Sequence, residues 1–228
     1  MNNGTSRLNP TIFHTRYVTL TQLRDATIKE IKSLTKEDRN KILIDFGCGD
    51  MPYRPVIAPL VGKYVGVDLD INPLAEHIID FDSKTTLPDN YCDIVLSNQV
   101  LEHVDTPTGY LEEALRILKP GGTLLISTHG HWFYHPTPGD YWRWTSAGLK
   151  KIIEAQGFKI ISFNGILGLA ASGLQLFQDG ICVKLPKFLV PPFALVMQTL
   201  VGLFNKINSQ RQRDRDAAIY VIVAQKPF

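Results

Sequence analysis

A chain of 228 residues, 44% of them apolar, has the material for one α/β domain with additions and is too rich in core residues to be disordered. Lys and Arg number 24 against 22 Asp and Glu, a net charge of +2 that gives no electrostatic reason to expect nucleic acid as a partner. Cys48, Cys92 and Cys182 lie far apart with no CxxC pair, which argues against a disulfide framework and against a structural zinc site.

Residues 1–15 read as a loose polar arm without an apolar leader, so a cytoplasmic, reduced setting is the expectation. Tyr17–Leu34 carries apolar residues at near-helical period, and residues 1–40 form an arm plus helix ahead of a main domain over 41–228. Lys41–Phe46, Tyr64–Asp68, His77–Phe81 and Cys92–Ser97 read as strands, and Val100–Val104 as the start of a helical turn. Thr108–Leu118 reads as a helix stopped by Lys119-Pro120-Gly121-Gly122, then Thr123–Thr128 as a strand. Ser146–Gln156 is a further helix, with Phe158–Phe163 and Ala218–Ala224 as the last two strands. Apolar strands alternating with helices predict an α/β, Rossmann-like doubly wound sheet of seven mostly parallel strands covered on both faces. The long gap over 164–217 predicts a helical insertion before an antiparallel last strand.

In such a sheet, ligands bind beyond the carboxyl ends of the strands. Gly47-Cys48-Gly49 follows the first strand, where glycine permits a tight turn and a close backbone approach. Asp68 ends the second strand, placed to accept hydrogen bonds from a ribose diol. A dinucleotide fingerprint needs a third glycine at position 52. This chain has Pro52 there and an acid at Asp50, both unfavourable to a diphosphate.

Ile42–Asp50 (ILIDFGCGD) resembles the first motif of class I S-adenosylmethionine-dependent methyltransferases, and Val65–Asp68 (VGVD) their second. Leu87–Val95, Val100–Val104 (VLEHV) and Leu115–Thr123 (LRILKPGGT) resemble later motifs of the broad group that includes ubiquinone-biosynthesis enzymes, in the same order. His135–Thr145 is similar to a stretch in methyltransferases of sugars, surface glycans and natural products. The resemblance implies S-adenosyl-L-methionine as cofactor. It implies Asp45 and the Gly47, Cys48 and Gly49 backbone at the methionine end, Asp68 on the ribose and Leu69 beside the adenine. It further implies Asp80, in competition with Asp82, on the adenine amino group, Phe81 at the ring, and Asn98 and Gln99 closing over the methionine end.

Methyl transfer to a hydroxyl needs an aligned acceptor and gains from a base. His129, His131 and His135 follow the fifth strand among six aromatics from Trp132 to Trp144. His135 is the first candidate base and His103 the second. Asp140 and Arg143 read as a pair that pins this loop. The irregular histidine spacing implies no metal. The apolar stretch 165–204 has three readings: a helical cap over the acceptor, a peripheral membrane contact, or a homodimer face. The expected acceptor is a small molecule, a glycan or a lipid-linked compound. The alternatives are a non-catalytic cofactor-binding protein of this fold and an NAD-type oxidoreductase.

Overall fold

The computed structural model describes residues 7–136 and 139–228. Residues 1–6 of the arm, and Thr137 and Pro138 of the aromatic stretch, lie outside the described residues. Seven strands form one sheet: β1 (Ile42–Phe46), β2 (Lys63–Asp68), β3 (His77–Ile78), β4 (Cys92–Asn98), β5 (Leu118–His129), β6 (Lys159–Gly168) and β7 (Ala217–Gln225). Their spatial order is β3-β2-β1-β4-β5-β7-β6. The first five are parallel, and β7 runs antiparallel between β5 and β6. This is the doubly wound, mostly parallel sheet with a reversed last strand that the alternation of elements predicts.

Side chains alternate across each strand, so the sheet buries both faces. On one face, Ile44, Phe46, Val65 and Ile126 pack beneath α3 (Pro107–Ile117) and α4 (Ser146–Ala155), which contribute Leu111, Ile117, Leu149 and Ile153. On the other, Leu43, Tyr64, Ile94 and Leu125 pack with Leu23 and Ile31 of α1 (Tyr17–Leu34). The short α2 (Arg54–Ile57) follows the first strand and starts with Pro55 inside its first turn, where a missing N–H costs nothing.

The insertion folds as α5 (Leu169–Cys182), α6 (Val190–Phe204) and α7 (Gln210–Arg215). It begins later than expected, because β6 continues five residues past Phe163. Asn164, Gly165, Ile166 and Gly168 keep pairing with β7. Gly165 permits this, since a Cβ there would lie 1.9 Å from the Arg213 carbonyl oxygen. Other boundaries differ too, and β5 already begins at Leu118, ahead of the expected Thr123. The expected strand His77–Phe81 stops at Ile78, because Asp80 turns the chain: its Oδ1 accepts from Lys84 N at 2.7 Å and its carbonyl from Ser83 N. Val100–Val104 is a hydrogen-bonded turn, closed by His103 N on the Val100 carbonyl, and no helix starts there.

Of residues 7–15, where a loose arm was expected, Leu8 packs against the core and accepts from Arg24, whereas Phe13 is exposed. The Thr15 carbonyl accepts from the side-chain amides of Gln175, Gln178 and Gln198, all buried on α5 and α6. Gln198 Oε1 in turn accepts from Val18 N at 2.9 Å. Buried amides carry both donors and acceptors, and here each finds a partner. The insertion therefore holds the start of α1 in place.

Candidate active site

One cavity of about 440 Å³ opens at the carboxyl edge of the sheet, a size that suits a small-molecule ligand. Its floor is the turn after β1. Gly47 has φ +77° and Gly49 φ +52°, both left-handed. At Gly47 the need for glycine is doubled, because a Cβ would sit 2.6 Å from both γ-carbons of Val100. Gly49 N donates to Asp68 Oδ2 at 2.7 Å, and Leu69 N donates to Oδ1 at 2.8 Å. Asn72 Nδ2 also reaches Oδ2, at 2.8 Å. Asp68 thus ties the β1 turn to the end of β2, and a carboxylate has about four acceptor sites, so capacity remains for a ligand hydroxyl.

Asp45 is buried in the wall and accepts a hydrogen bond from the Tyr64 hydroxyl. Burial pushes its carboxyl up to about 7, and the Tyr64 bond opposes the rise. Burial also pushes the Cys48 thiol up, which leaves it protonated and a poor nucleophile. Leu69, Asp80 and Phe81 line the cavity, and Asp82 is not among its lining residues. Asn98 and Gln99 lie at the end of β4, both bonded to Ser127 on β5. Gln99 holds φ +60° without being glycine, a strained backbone of the kind that clusters at ligand sites. All ten residues named from the resemblance for the cofactor therefore line this cavity.

The opposite wall is rich in imidazoles. His103, His129 and His135 all line the same cavity. Their rings meet edge to face, His135 lying 4.9 Å from His103 and 5.0 Å from His129. His103 Nδ1 bonds the Gly139 carbonyl, and His135 Nδ1 lies 3.2 Å from the Phe133 carbonyl. A carbonyl only accepts, so each Nδ1 carries a proton, and in a neutral ring the lone pair then sits on Nε2. Burial lowers the pKa of His135 and, far more, that of His129, so both stay neutral at pH 7. Asp140 and Arg143 form a two-pronged pair at 2.6 Å, and Arg143 also donates to the Trp132 and Phe133 carbonyls. This pair pins the loop, as its spacing suggested, and Arg143 holds the Asp140 carboxyl well below the usual range.

Two residues escaped the sequence reading. Glu102, inside VLEHV, is wholly buried; its Oε2 accepts from Thr128 Oγ1 at 2.8 Å, and burial pushes its carboxyl up to about 7. A lone acid in an otherwise apolar turn was the available signal. Arg16 lies just before α1, lines the cavity and stacks its guanidinium 4.6 Å from the Phe133 ring. Its Nε is buried without a hydrogen-bond partner, and burial lowers its pKa. Only its position ahead of a helix hinted at it.

No residue of 164–217 lines the cavity among the described residues. Arg7, Arg16, Thr19, Leu20 and Leu23, from α1 and the arm before it, line the cavity instead. The insertion meets the site through α1, by the Thr15 latch, by Gln198 on Val18 N and by packing of Val201 with Val18 and Leu23.

Comparison with known proteins adds the following. Residues 19–162 match the family model described as "Methyltransferase domain". The chain is 26% identical over 140 residues to a probable S-adenosylmethionine-dependent methyltransferase of Mycolicibacterium smegmatis, covering 54% of each. It is 25% identical over 209 residues to a ubiquinone biosynthesis O-methyltransferase of Bartonella tribocorum, covering 85% of this chain and 76% of that one. The chain spans about half the length of the first curated relatives it matches. Among solved structures, the [4+2]-cyclase SpnF superposes with a TM-score of 0.59 at 20% identity, over 91% of this chain and 83% of that chain. A phosphoethanolamine N-methyltransferase of Haemonchus contortus in complex with S-adenosyl-L-methionine gives 0.56 at 17%, over 100% and 61%. These likenesses show the fold.

Proposed function

Since the chain belongs to the methyltransferase-domain family, we propose that it transfers a methyl group from S-adenosyl-L-methionine to a hydroxyl of a small-molecule, glycan or lipid-linked acceptor. The observation that carries this reading is one cavity with a glycine turn and ribose-ready acid at one end and three neutral-capable imidazoles at the other. The residues fit the cofactor. Gly47 and Gly49 let a ligand approach the backbone, Asp68 keeps acceptor capacity for a diol, and Leu69 with Phe81 offers apolar surface to a flat ring. The buried Arg16 Nε, without a partner, suits the carboxylate of an amino-acid end. When bound, the cofactor supplies a methyl group already activated by its sulfonium.

The remaining work falls to the protein. Trp132 and Tyr141 wall the acceptor in, and the Asp140–Arg143 pair fixes the loop that carries His135. His135 Nε2 presents a lone pair to the cavity and takes the acceptor's proton; His103 Nε2 is the second candidate. Calorimetry with S-adenosylmethionine and with NAD tests the cofactor: heat with NAD alone overturns the reading. Release of S-adenosylhomocysteine across a panel of hydroxylated acceptors tests turnover. Cofactor binding with no release under any acceptor favours the non-catalytic alternative.

The insertion is assigned, on this reading, to an anionic membrane surface. From Gly180 to Arg211 the chain carries Lys184, Lys187, Lys206 and Arg211 and no acid. Val183, Phe188, Val196, Leu203 and Ile207 are exposed along the same segment. No helix among the described residues is long and apolar enough to cross a membrane. Co-sedimentation with phosphatidylglycerol vesicles at low salt is the expected result; a stable dimer that leaves vesicles unbound would assign the face to self-association instead.

A further inference from the structure

Spacing along the chain conceals a cluster that the fold assembles. Glu102 and His103 come from the turn after β4, and His135 from the loop after β5. One ligand atom from each lies within 4.8 Å of the others. The His103 Nε2 is 3.9 Å from Glu102 Oε1. That oxygen is buried and has no hydrogen-bond partner, although its sister Oε2 is satisfied by Thr128. An orphaned carboxylate oxygen inside a protein is costly unless something positive meets it.

The histidines are prepared for the same occupant. Main-chain carbonyls of Gly139 and Phe133 hold their Nδ1 atoms. This outer shell is the arrangement that fixes a ligating imidazole's tautomer and direction. His129 Nε2 lies 3.2 Å from Glu102 Oε1 without the geometry of a hydrogen bond, and places a third imidazole beside the carboxylate. Around a small cation, donors stand about 3.4 Å apart at bond lengths of about 2.1 Å, so an inward movement on the order of 1 Å closes the site.

We propose that Glu102, His103 and His135 bind one divalent transition-metal ion at the acceptor end of the cavity. Two imidazoles and one carboxylate form a borderline-soft set that suits zinc, manganese or cobalt and leaves positions open. An acceptor hydroxyl filling an open position would be polarised by the ion and would release its proton to solvent more readily. In the loaded protein His135 is then a ligand, and the ion takes over the activation assigned to it as a base. This part rests on the hydroxyl-methylating reading, whereas ion binding itself does not.

The test uses the full chain, stripped with a chelator and titrated with Co²⁺ and Zn²⁺. The expected result is one ion per chain, with a visible Co²⁺ absorption band that Zn²⁺ displaces. Glu102→Gln and His135→Ala should each weaken binding at least about 100-fold, beyond the range seen for outer-shell changes. His131→Ala, an exposed imidazole outside the cluster, should bind as the unaltered chain does. Absence of the band, or binding indifferent to both variants, overturns the site. Should Glu102→Gln fail to fold, His135→Asn decides alone, since that side chain is partly exposed. Ion binding in a chain that binds no S-adenosylmethionine would uphold the site and overturn the proposed function; the reverse pattern would do the opposite.

Discussion

At the donor end of the cavity, Gly47, Gly49 and Asp68 come from the ends of two neighbouring parallel strands, and each is held by the others through the Gly49 N–Asp68 bond. At the acceptor end, Glu102, His103, His129 and His135 come from a turn, a strand end and a loop; main-chain carbonyls orient His103 and His135, and the Thr128 hydroxyl holds Glu102. The first is a local device whose shape follows from strand, glycine and acid. The second exists only when the sheet is closed. That contrast predicts that changes at the donor end act on cofactor affinity, and changes at the acceptor end act on turnover.

Four variants break or sharpen the contrast. The largest effect is expected at the acceptor end: His135→Ala should lower methyl transfer by roughly 10²–10⁴-fold, the span of general-base or metal-ligand loss, with cofactor affinity unchanged by calorimetry. Equal turnover would remove His135 from the chemistry. Asp68→Ala should weaken S-adenosylmethionine binding by about 10–100-fold, as charge-assisted hydrogen bonds are worth about 1.5–3 kcal/mol. A turnover loss at saturating cofactor would blur the division between the two ends.

Gly47→Ala forces a side chain into the left-handed region and into Val100. It should cost about 1–3 kcal/mol of stability by denaturant titration. Adding Val100→Ala should recover part of that loss and leave the conformational part. The fourth test concerns pH. Folded Asp45 keeps its proton up to about 7, whereas the unfolded chain releases it near 3.8. Between those values the folded state binds more protons, so this group makes stability fall as pH rises through the window. Asp45→Asn should flatten the slope there in cofactor-free protein; an unchanged slope would show that Asp45 ionises normally.

The same contrast explains what was legible. β1, β2 and β4 are short apolar runs that a parallel sheet demands, and the centres of these and of β5 and β7 lay where the hydrophobic pattern put them. The cofactor residues followed, because a sheet of this kind offers ligands one edge and glycine marks the approach. β6 ran past its apolar signal because its last residues, Asn164 to Gly168, earn their pairing from β7 and from space beside Arg213, neither visible locally. β3 fell short because Asp80 prefers to cap a turn. Glu102 was hidden since its burial depends on Thr128 from another strand. Arg16 was hidden since its ring partner Phe133 is more than a hundred residues away. The insertion's link to the site was hidden for a related reason: apolar helices near a site suggest a lid, but these lie off the cavity and hold the start of α1 through buried glutamines and the Thr15 carbonyl.

β7 lies between β5 and β6, and it is made after both. His129 pairs in register with Ile219 on that strand. During synthesis, therefore, β5 waits with an open edge and the imidazole wall has no fixed place until residues 217–225 leave the ribosome. A nascent chain arrested before Ala217 carries the whole glycine turn and both of its strands, and still lacks the neighbour that sets its acceptor side. Emergence of residues 217–225 is thus the event that joins the two halves into one cavity.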